Sequence, residues 1–361
     1  MTTLASTAPT VPGVRRALER VMLGLVPLAA LVLVAAESPR RYFWDFRVFW
    51  HAGKDVLAGR SPYPPPDPAL LAHQSSFVYP PESALAFAPL ALLPYHLAAA
   101  IFLCVLFAAL ALTLYVLEVN DWRCYGAAFL MAPVLSGFGN GAISVLLALG
   151  VALAWRYRDS WPKAATAVAA VVATKVFLWP LVVWLVATRR FRAAGAAVLG
   201  GIVVTLASWA VIGFAGISDY TRLLRILADV EQSQGYSAVA FGLALGLPGG
   251  VARAAALCLG VLALASILLL ARRSDGDRLS FTAAIGAALL LSPIVWLHYF
   301  VLLLIPFALA RPRFSAVWIL VPLPFWFSSA NGQSHADAAR ITLALATVAA
   351  MFAVSARQAE A

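Results

Sequence analysis

The sequence predicts an all-helical integral membrane bundle, and three observations carry that reading. Hydrophobic residues fill 63% of the 361 positions and charged residues 12%, against about 45–50% apolar and about 25% charged in soluble domains. Apolar runs near the roughly 20-residue length that crosses a hydrocarbon core recur along the chain. The basic residues fall in short groups between those runs, as membrane topology requires. The net charge of +10 therefore does not point to nucleic acid, which would need a clustered basic face.

The first expected span is Val21–Ala36, preceded by Arg15, Arg16 and Arg20. Its flanks resemble a signal peptide, but a retained helix is expected because no soluble mature domain follows. Leu97–Leu117, Ala193–Gly213 and Val251–Ala271 are the other runs of near-spanning length. The remaining apolar stretches come in pairs: Tyr125–Ser136 with Ala142–Trp155, Ala164–Thr174 with Val176–Ala187, Leu279–Leu291 with Trp296–Ala310, and Ser315–Phe327 with Ile341–Val354. Gly137, Gly139 and Gly141, then Lys175, then Pro293, then Asn331 and Gly332 stand at the breaks.

Gly and Pro interrupt a helix without fixing the direction of the next segment, so each pair fits one kinked helix or one hairpin. Charge selects the hairpins. Sixteen of the 26 Lys and Arg residues then fall on the N-terminal side, which the positive-inside bias makes cytoplasmic. The expectation is a multi-pass cell-membrane protein of about 12 transmembrane helices in a single domain over 1–361. Two long extracytoplasmic loops, 37–96 and 214–250, interrupt it.

Each long loop carries an amphipathic stretch expected to lie along the membrane surface. Phe46, Phe49, Trp50, Gly53 and Leu57 make one apolar stripe, and Tyr220, Leu223, Leu224, Leu227 and Val230 make another. Under this topology the notable polar residues gather at the outer face: Asp45, Asn140, Lys175, Glu231 with Gln232, His298, and Asn331 with Gln333. No charge falls near the middle of the four long spans, which argues against an ion pathway or proton relay. A transporter or lipid flippase fits the helix count equally well, but such folds show paired repeats and polar sites near the midplane. Neither is found.

Cys104, Cys124 and Cys258 have no paired spacing, so neither a disulfide framework nor a metal site is expected. No His/Cys/carboxylate cluster stands at ligand spacing, and no Gly-rich phosphate loop follows a strand. No cofactor is expected.

Single residues read two ways. Asp45, at a helix start, fits an N-cap as well as a general base. His298 titrates near neutrality and suits a base, or else it bonds a backbone carbonyl in the bundle. Lys175 is a lone cation between two apolar helices: it binds an anion there, or it snorkels to the headgroups. Arg222 and Arg225 suit a phosphate or lipid headgroups. Tyr63, Tyr79 and Trp296 can stack on sugar rings or belong to the aromatic belts. His51, one helical turn or so beyond Asp45, can orient an acceptor.

Asp45 together with the stretches "AGKDVLAGRSPY", "FVYPPESALAFAPLALLP", "GFGNGAISVLLALGVALAWRYR", "ATKVFLWPLVVWLVATRRFRAAG", "EQSQGYSAVA" and "LSPIVWLHYFVLLLIPFAL" resembles glycosyltransferase family 87. The most specific pieces are the Asp followed by G-x-x-P-Y and Y-P-P, the K-x-x-x-x-P in an apolar run, and S-P-I-x-W-x-H. The resemblance runs from about Asp45 to Ala308. Two segments depart from the pattern: Gly139, Asn140 and Gly141 stand where a Gly-Gln-Asn-like turn is expected, and Glu231, Gln232 and Ser233 where Asn-Gln-Ser is expected.

The resemblance implies a GT-C helical bundle related to the actinobacterial enzymes that use polyprenyl-phosphate mannose or arabinofuranose. It implies transfer of a sugar, mannose foremost, to a lipid or glycolipid acceptor at the extracytoplasmic face with inversion, and no nucleic-acid partner. It favours Asp45 as the catalytic base; for the chemistry so implied, His298 is the candidate co-base or its replacement, and Lys175, Arg222 and Arg225 are the candidates for the donor phosphate. His51, Tyr63, Tyr79, Asn140, Glu231, Gln232 and Trp296 are then the substrate contacts. One lipid phosphate has no diphosphate that a divalent ion must neutralise, so no metal is implied.

Overall fold

The computed structural model describes residues 43–73, 75–328 and 338–357, together with the isolated positions 13, 25, 28, 29 and 32. The expected span Val21–Ala36, those positions aside, and the turn with Asn331, Gly332 and Gln333 lie outside them. Among the described residues the fold is all α, without strands.

Four of the described helices are long and apolar enough to cross a membrane: Tyr95–Val116, Phe191–Val211, Gly249–Leu270 and Ala338–Ala356. The first three correspond to the runs read from the sequence. The fourth extends the second half of an expected pair. About twelve spans are expected from the sequence, whereas the other paired segments are built from shorter helices.

In chain order, the helices of the first half begin with α1 (Trp44–Leu57), α2 (Pro68–Leu71), α3 (Pro81–Ala91) and α4 (Tyr95–Val116). They continue with α5 (Trp122–Phe129), α6 (Ala132–Asn140), α7 (Ser144–Arg156), α8 (Trp161–Thr174) and α9 (Pro180–Ala187). The second half comprises α10 (Phe191–Val211), α11 (Ile217–Glu231), α12 (Ala238–Ala244), α13 (Gly249–Leu270), α14 (Gly276–Leu291) and α15 (Leu304–Ala310). Then come α16 (Val317–Leu320), α17 (Phe325–Ser328) and α18 (Ala338–Ala356).

Half of the most apolar stretch of α4 is buried, against 22% and 17% of the corresponding stretches of α10 and α13, which form the rim. Leu199, Leu262 and Leu269 there are 64%, 66% and 63% exposed, an apolar surface that water would penalise and acyl chains accept. This is a membrane protein.

Proline explains two of the breaks. A helix running through Lys175 would need the amide of residue 180 to bond the carbonyl of Val176, but residue 180 is proline. The chain instead leaves α8 with Lys175 extended, makes a 3₁₀ turn at Val176–Leu178 and restarts at Pro180. Likewise Pro306 cannot bond Leu302, and Leu297–Leu303 is wound as a 3₁₀ helix that turns into α15.

Ion pairs distinguish a hairpin from a kinked helix at Lys175. Asp159 precedes α8 and Arg190 follows α9, yet their side chains meet at 2.8 Å. The two helices therefore start and finish at one end of the bundle, and Lys175 lies at the other. Arg190 and Arg158 also pair with Asp277 at the start of α14, at 2.5 and 3.1 Å. At this same end Glu118 pairs with Arg156 at 3.1 Å, and the Asp121 carboxylate accepts the Phe314 amide at 2.9 Å.

The stripe of α1 packs on protein. Phe46 and Phe49 are fully buried, Phe49 stacks on Phe87 at 4.6 Å, and Gly53 fits against the α3 backbone, where an added Cβ would lie 3.1 Å from Ala88 N. Leu57 departs from the expected stripe, at 49% exposed. On α11 only Leu223 and Glu231 are buried, while Arg222 and Arg225 are exposed, as a helix lying on a surface requires.

Candidate functional site

At the end of the bundle opposite the ion pairs, four connections meet. The first is the turn between α6 and α7. Gly141 adopts the left-handed conformation (φ 63°) and an added Cβ would lie 2.7 Å from Phe46 Cβ and 2.9 Å from the Phe43 ring. The Phe43 amide donates to the Gly139 carbonyl at 2.9 Å. The glycine-rich turn thus seats the start of α1 and with it Asp45. Gly141→Ala is expected to destabilise the protein by on the order of 2 kcal/mol, from left-handed strain plus the clash. Thermal melting in detergent measures this, and an unchanged Tm would refute the seating.

Asp45 lies in the first turn of α1, where no side-chain capping bond forms. The capping alternative is therefore not realised. Its Oδ2 lies 3.7 Å from Nε2 of His298, which lies in the first turn of the 3₁₀ helix before α15 and is 5% exposed. That separation is electrostatic contact just beyond hydrogen-bond length. Such pairs commonly tighten once substrate binds.

Lys175 does not snorkel. Its ammonium lies over the Tyr299 ring at 3.8 Å from the centroid, with Tyr79 at 5.1 Å and Phe177 at 5.9 Å. Cation–π contact of this kind holds a cation that has lost much of its water. Burial pulls the ammonium pKa below its ordinary 10.5, and Asp45 and then Glu231 push it back up. Conversely, burial raises the Asp45 carboxyl above its ordinary 3.8, with Lys175 opposing. Glu231, the last residue of α11 and 5% exposed, is pushed up to about 7 by burial and by Asp45, against the pull of Lys175.

The loop after Glu231 is pinned to the His298 segment. Tyr236 N–H donates to the Val295 carbonyl at 2.7 Å, and Gly235 (φ 73°) passes so close that a Cβ would lie 2.4 Å from the same oxygen and 3.4 Å from the Trp296 ring. The Tyr79 wall is fixed from behind: Tyr63 donates its hydroxyl to the Tyr79 carbonyl at 3.0 Å and stacks on Trp209 at 5.1 Å.

Asp45, His298, Lys175, Tyr79 and Glu231 are thus brought together, with Trp296 and Tyr63 at the margin. Asn140 lies in the seating turn, donating to the Ser136 carbonyl at 2.9 Å. Gln232 faces outward, accepting from Arg253 at 2.7 Å. His51, Arg222 and Arg225 are exposed. Among the described residues no group of three or more His, Cys, Asp or Glu could hold a metal ion.

Sequence reasoning missed Tyr299 and Phe177, the rings that flank Lys175. Both follow a flagged residue closely, Tyr299 directly after His298 and Phe177 two positions after Lys175. It also missed Glu82, whose Oε1 accepts the Thr205 hydroxyl at 2.9 Å while Oε2 is buried without a partner among the described residues.

No curated protein and no solved structure matches the chain. The family model for glycosyltransferase family 87 matches residues 77–296. That range contains Tyr79, Lys175 and Glu231, ends two residues short of His298 and begins after Asp45. The match covers more than half of the chain, and a transferase family does not favour the transporter reading. This all-helical membrane protein belongs to glycosyltransferase family 87.

Proposed function

We propose that the chain transfers a sugar, with mannose the expected one, from a polyprenyl-phosphate donor to a hydroxyl of a lipid or glycolipid acceptor. The reaction takes place at the extracytoplasmic face of the membrane and inverts the anomeric carbon. The observation that carries this reading is the meeting of Asp45 and His298 at 3.7 Å in the same electrostatic neighbourhood as Lys175. A transferase of this kind needs a base for the incoming hydroxyl and a cation for the outgoing phosphate. Both stand at one end of the bundle, away from the Arg-rich end that the positive-inside bias makes cytoplasmic.

In the proposed step the acceptor oxygen attacks the anomeric carbon as the bond from that carbon to the phosphate oxygen breaks. Asp45 takes the hydroxyl proton, with His298 orienting it or sharing the proton. The phosphate leaves with the electron pair, and the Lys175 ammonium meets its charge. The aromatic walls of Tyr79 and Tyr299 exclude water and strengthen that attraction.

Membranes containing the protein, incubated with radiolabelled polyprenyl-phosphate mannose, are expected to yield a labelled lipid-linked product with inverted linkage. Labelling equal to that of membranes lacking the protein would refute the donor. The base must be ionised, and burial raises its pKa above 3.8. Transfer should therefore fall as pH drops, with a midpoint well above the ordinary carboxylate range. An acid limb at the ordinary carboxylate value would argue against the enclosed Asp45 as the base.

A further inference from the structure

The stretch "RRFRAAGAA", residues 189–197, sets three arginines before a run of residues with almost no side chain. It forms the turn from α9 into α10 and the first turns of α10, at the Arg-rich end of the bundle. Ala194 and Gly195 supply so little bulk that α9 and α10 do not fill the space along their shared outer face. They enclose a groove of about 420 Å³, lined by Val182 and Val186 of α9 and by Phe191, Gly195, Val198 and Ile202 of α10. Its walls are apolar throughout. A Cβ added at Gly195 would meet nothing within 4 Å, so no part of the protein covers the groove there.

The arginines at its mouth divide by partner. Arg190 turns inward and pairs with Asp277 and Asp159. Arg189 and Arg192 are exposed and make no ion pair among the described residues. Arg192 precedes Gly195 by three positions and Leu199 by seven, the spacing that sets residues on one face of a helix. It therefore stands on the groove side of α10, one turn closer to the membrane surface.

An apolar slot leading from two uncompensated cations matches one kind of molecule in a bilayer, a lipid with an anionic head. Lipid tails are as apolar as the groove, so filling it gains close packing rather than escape from water. Each arginine near the headgroups then adds attraction for negative charge. We propose that the groove between α9 and α10 seats an acyl chain of an anionic phospholipid from the leaflet at the Arg-rich end, with its phosphate on Arg189 and Arg192. This lipid is not the sugar donor of the proposed reaction. A phosphate held on Arg192 would keep its sugar at the opposite end of the bundle from Asp45 and Lys175. The site stands whether or not the chain transfers sugar.

Purified full-length protein in detergent is titrated with phosphatidylglycerol and, separately, with phosphatidylcholine of the same chains, and bound lipid is counted by native mass spectrometry. Phosphatidylglycerol is expected to bind about 25-fold more tightly, the contribution of two arginines near the headgroups. Arg189→Gln combined with Arg192→Gln should abolish that preference. Gly195→Leu fills the groove from an exposed position and should weaken both lipids by about tenfold while keeping their ratio. Should that variant not fold, Ile202→Trp narrows the same slot and reads the same loss. Arg272→Gln with Arg273→Gln, exposed just beyond α13, removes the same charge elsewhere and should change nothing.

Equal affinity for the two lipids in the wild type overturns the proposal, and so does undiminished lipid binding in a folded groove-filling variant. Polyprenyl phosphate binding more tightly than phosphatidylglycerol, with that binding lost in Gly195→Leu, would make the groove a donor slot and also overturn it. A protein dimer that Gly195→Leu splits, and that lipid leaves intact, would instead mark this face as an interface between copies and refute the lipid site.

Discussion

Asp45→Asn is expected to lower sugar transfer by about 10²- to 10⁴-fold while leaving donor affinity nearly intact. That range is what a positioned general base contributes, and the amide keeps the size of the carboxylate while losing its basicity. His298 tests whether the two act as a unit. With its Nε2 3.7 Å from the Asp45 oxygen, His298→Ala should also lower transfer. The double variant should then fall little below Asp45→Asn alone, because groups that serve one proton transfer are not additive. Initial rates at saturating donor measure all three. Full activity in both single variants would remove the base assignment, and strictly multiplicative losses would show that the residues act separately.

Lys175→Met is expected to produce the other large effect, on the order of 10²-fold in kcat/KM and expressed mainly as weaker donor binding. Methionine keeps the apolar stem against Tyr299 and Tyr79 but removes the cation that acts on Asp45. Removing one partner of an enclosed charge pair typically costs about 2–5 kcal/mol, and each 1.4 kcal/mol is about tenfold. Lys175→Arg should recover only part of the loss, because a planar fork does not replace a compact ammonium between aromatic rings. Lys163→Met, at the other end of the bundle, should change neither parameter. A donor KM unchanged in Lys175→Met would exclude Lys175 from phosphate binding.

Both predictions concern residues that the sequence marks by residue type and position. Asp45 and Lys175 are conspicuous as charges beside apolar runs, since stranding a charge there costs free energy unless something compensates it. The compensation is not legible. Aromatic rings about a hundred residues away in either direction hold Lys175, and Tyr299 is indistinguishable by sequence from the other aromatics of a hydrophobic chain. Arg222, Arg225 and His51 look just as suitable by type, yet they face outward, because each helical turn presents residues in every direction and packing alone selects the buried face. Leu57 shows the same limit: it fits the stripe of Phe46 and Phe49 but is left exposed at the end of α1.

The sequence by itself determined the all-helical membrane character, three of the four long described spans and the breaks at Lys175 and Pro293. These have local causes: apolar length, missing proline amides and glycine's conformational freedom. Charge distribution along the chain already selected a turn at Lys175, which the Arg190–Asp159 pair carries; only the tertiary structure decided that Glu231 points inward while Gln232 points out. It also decided that Asp45 meets His298 across 253 positions of chain. Such contacts depend on how helices far apart in sequence pack together, and no local propensity encodes that distance.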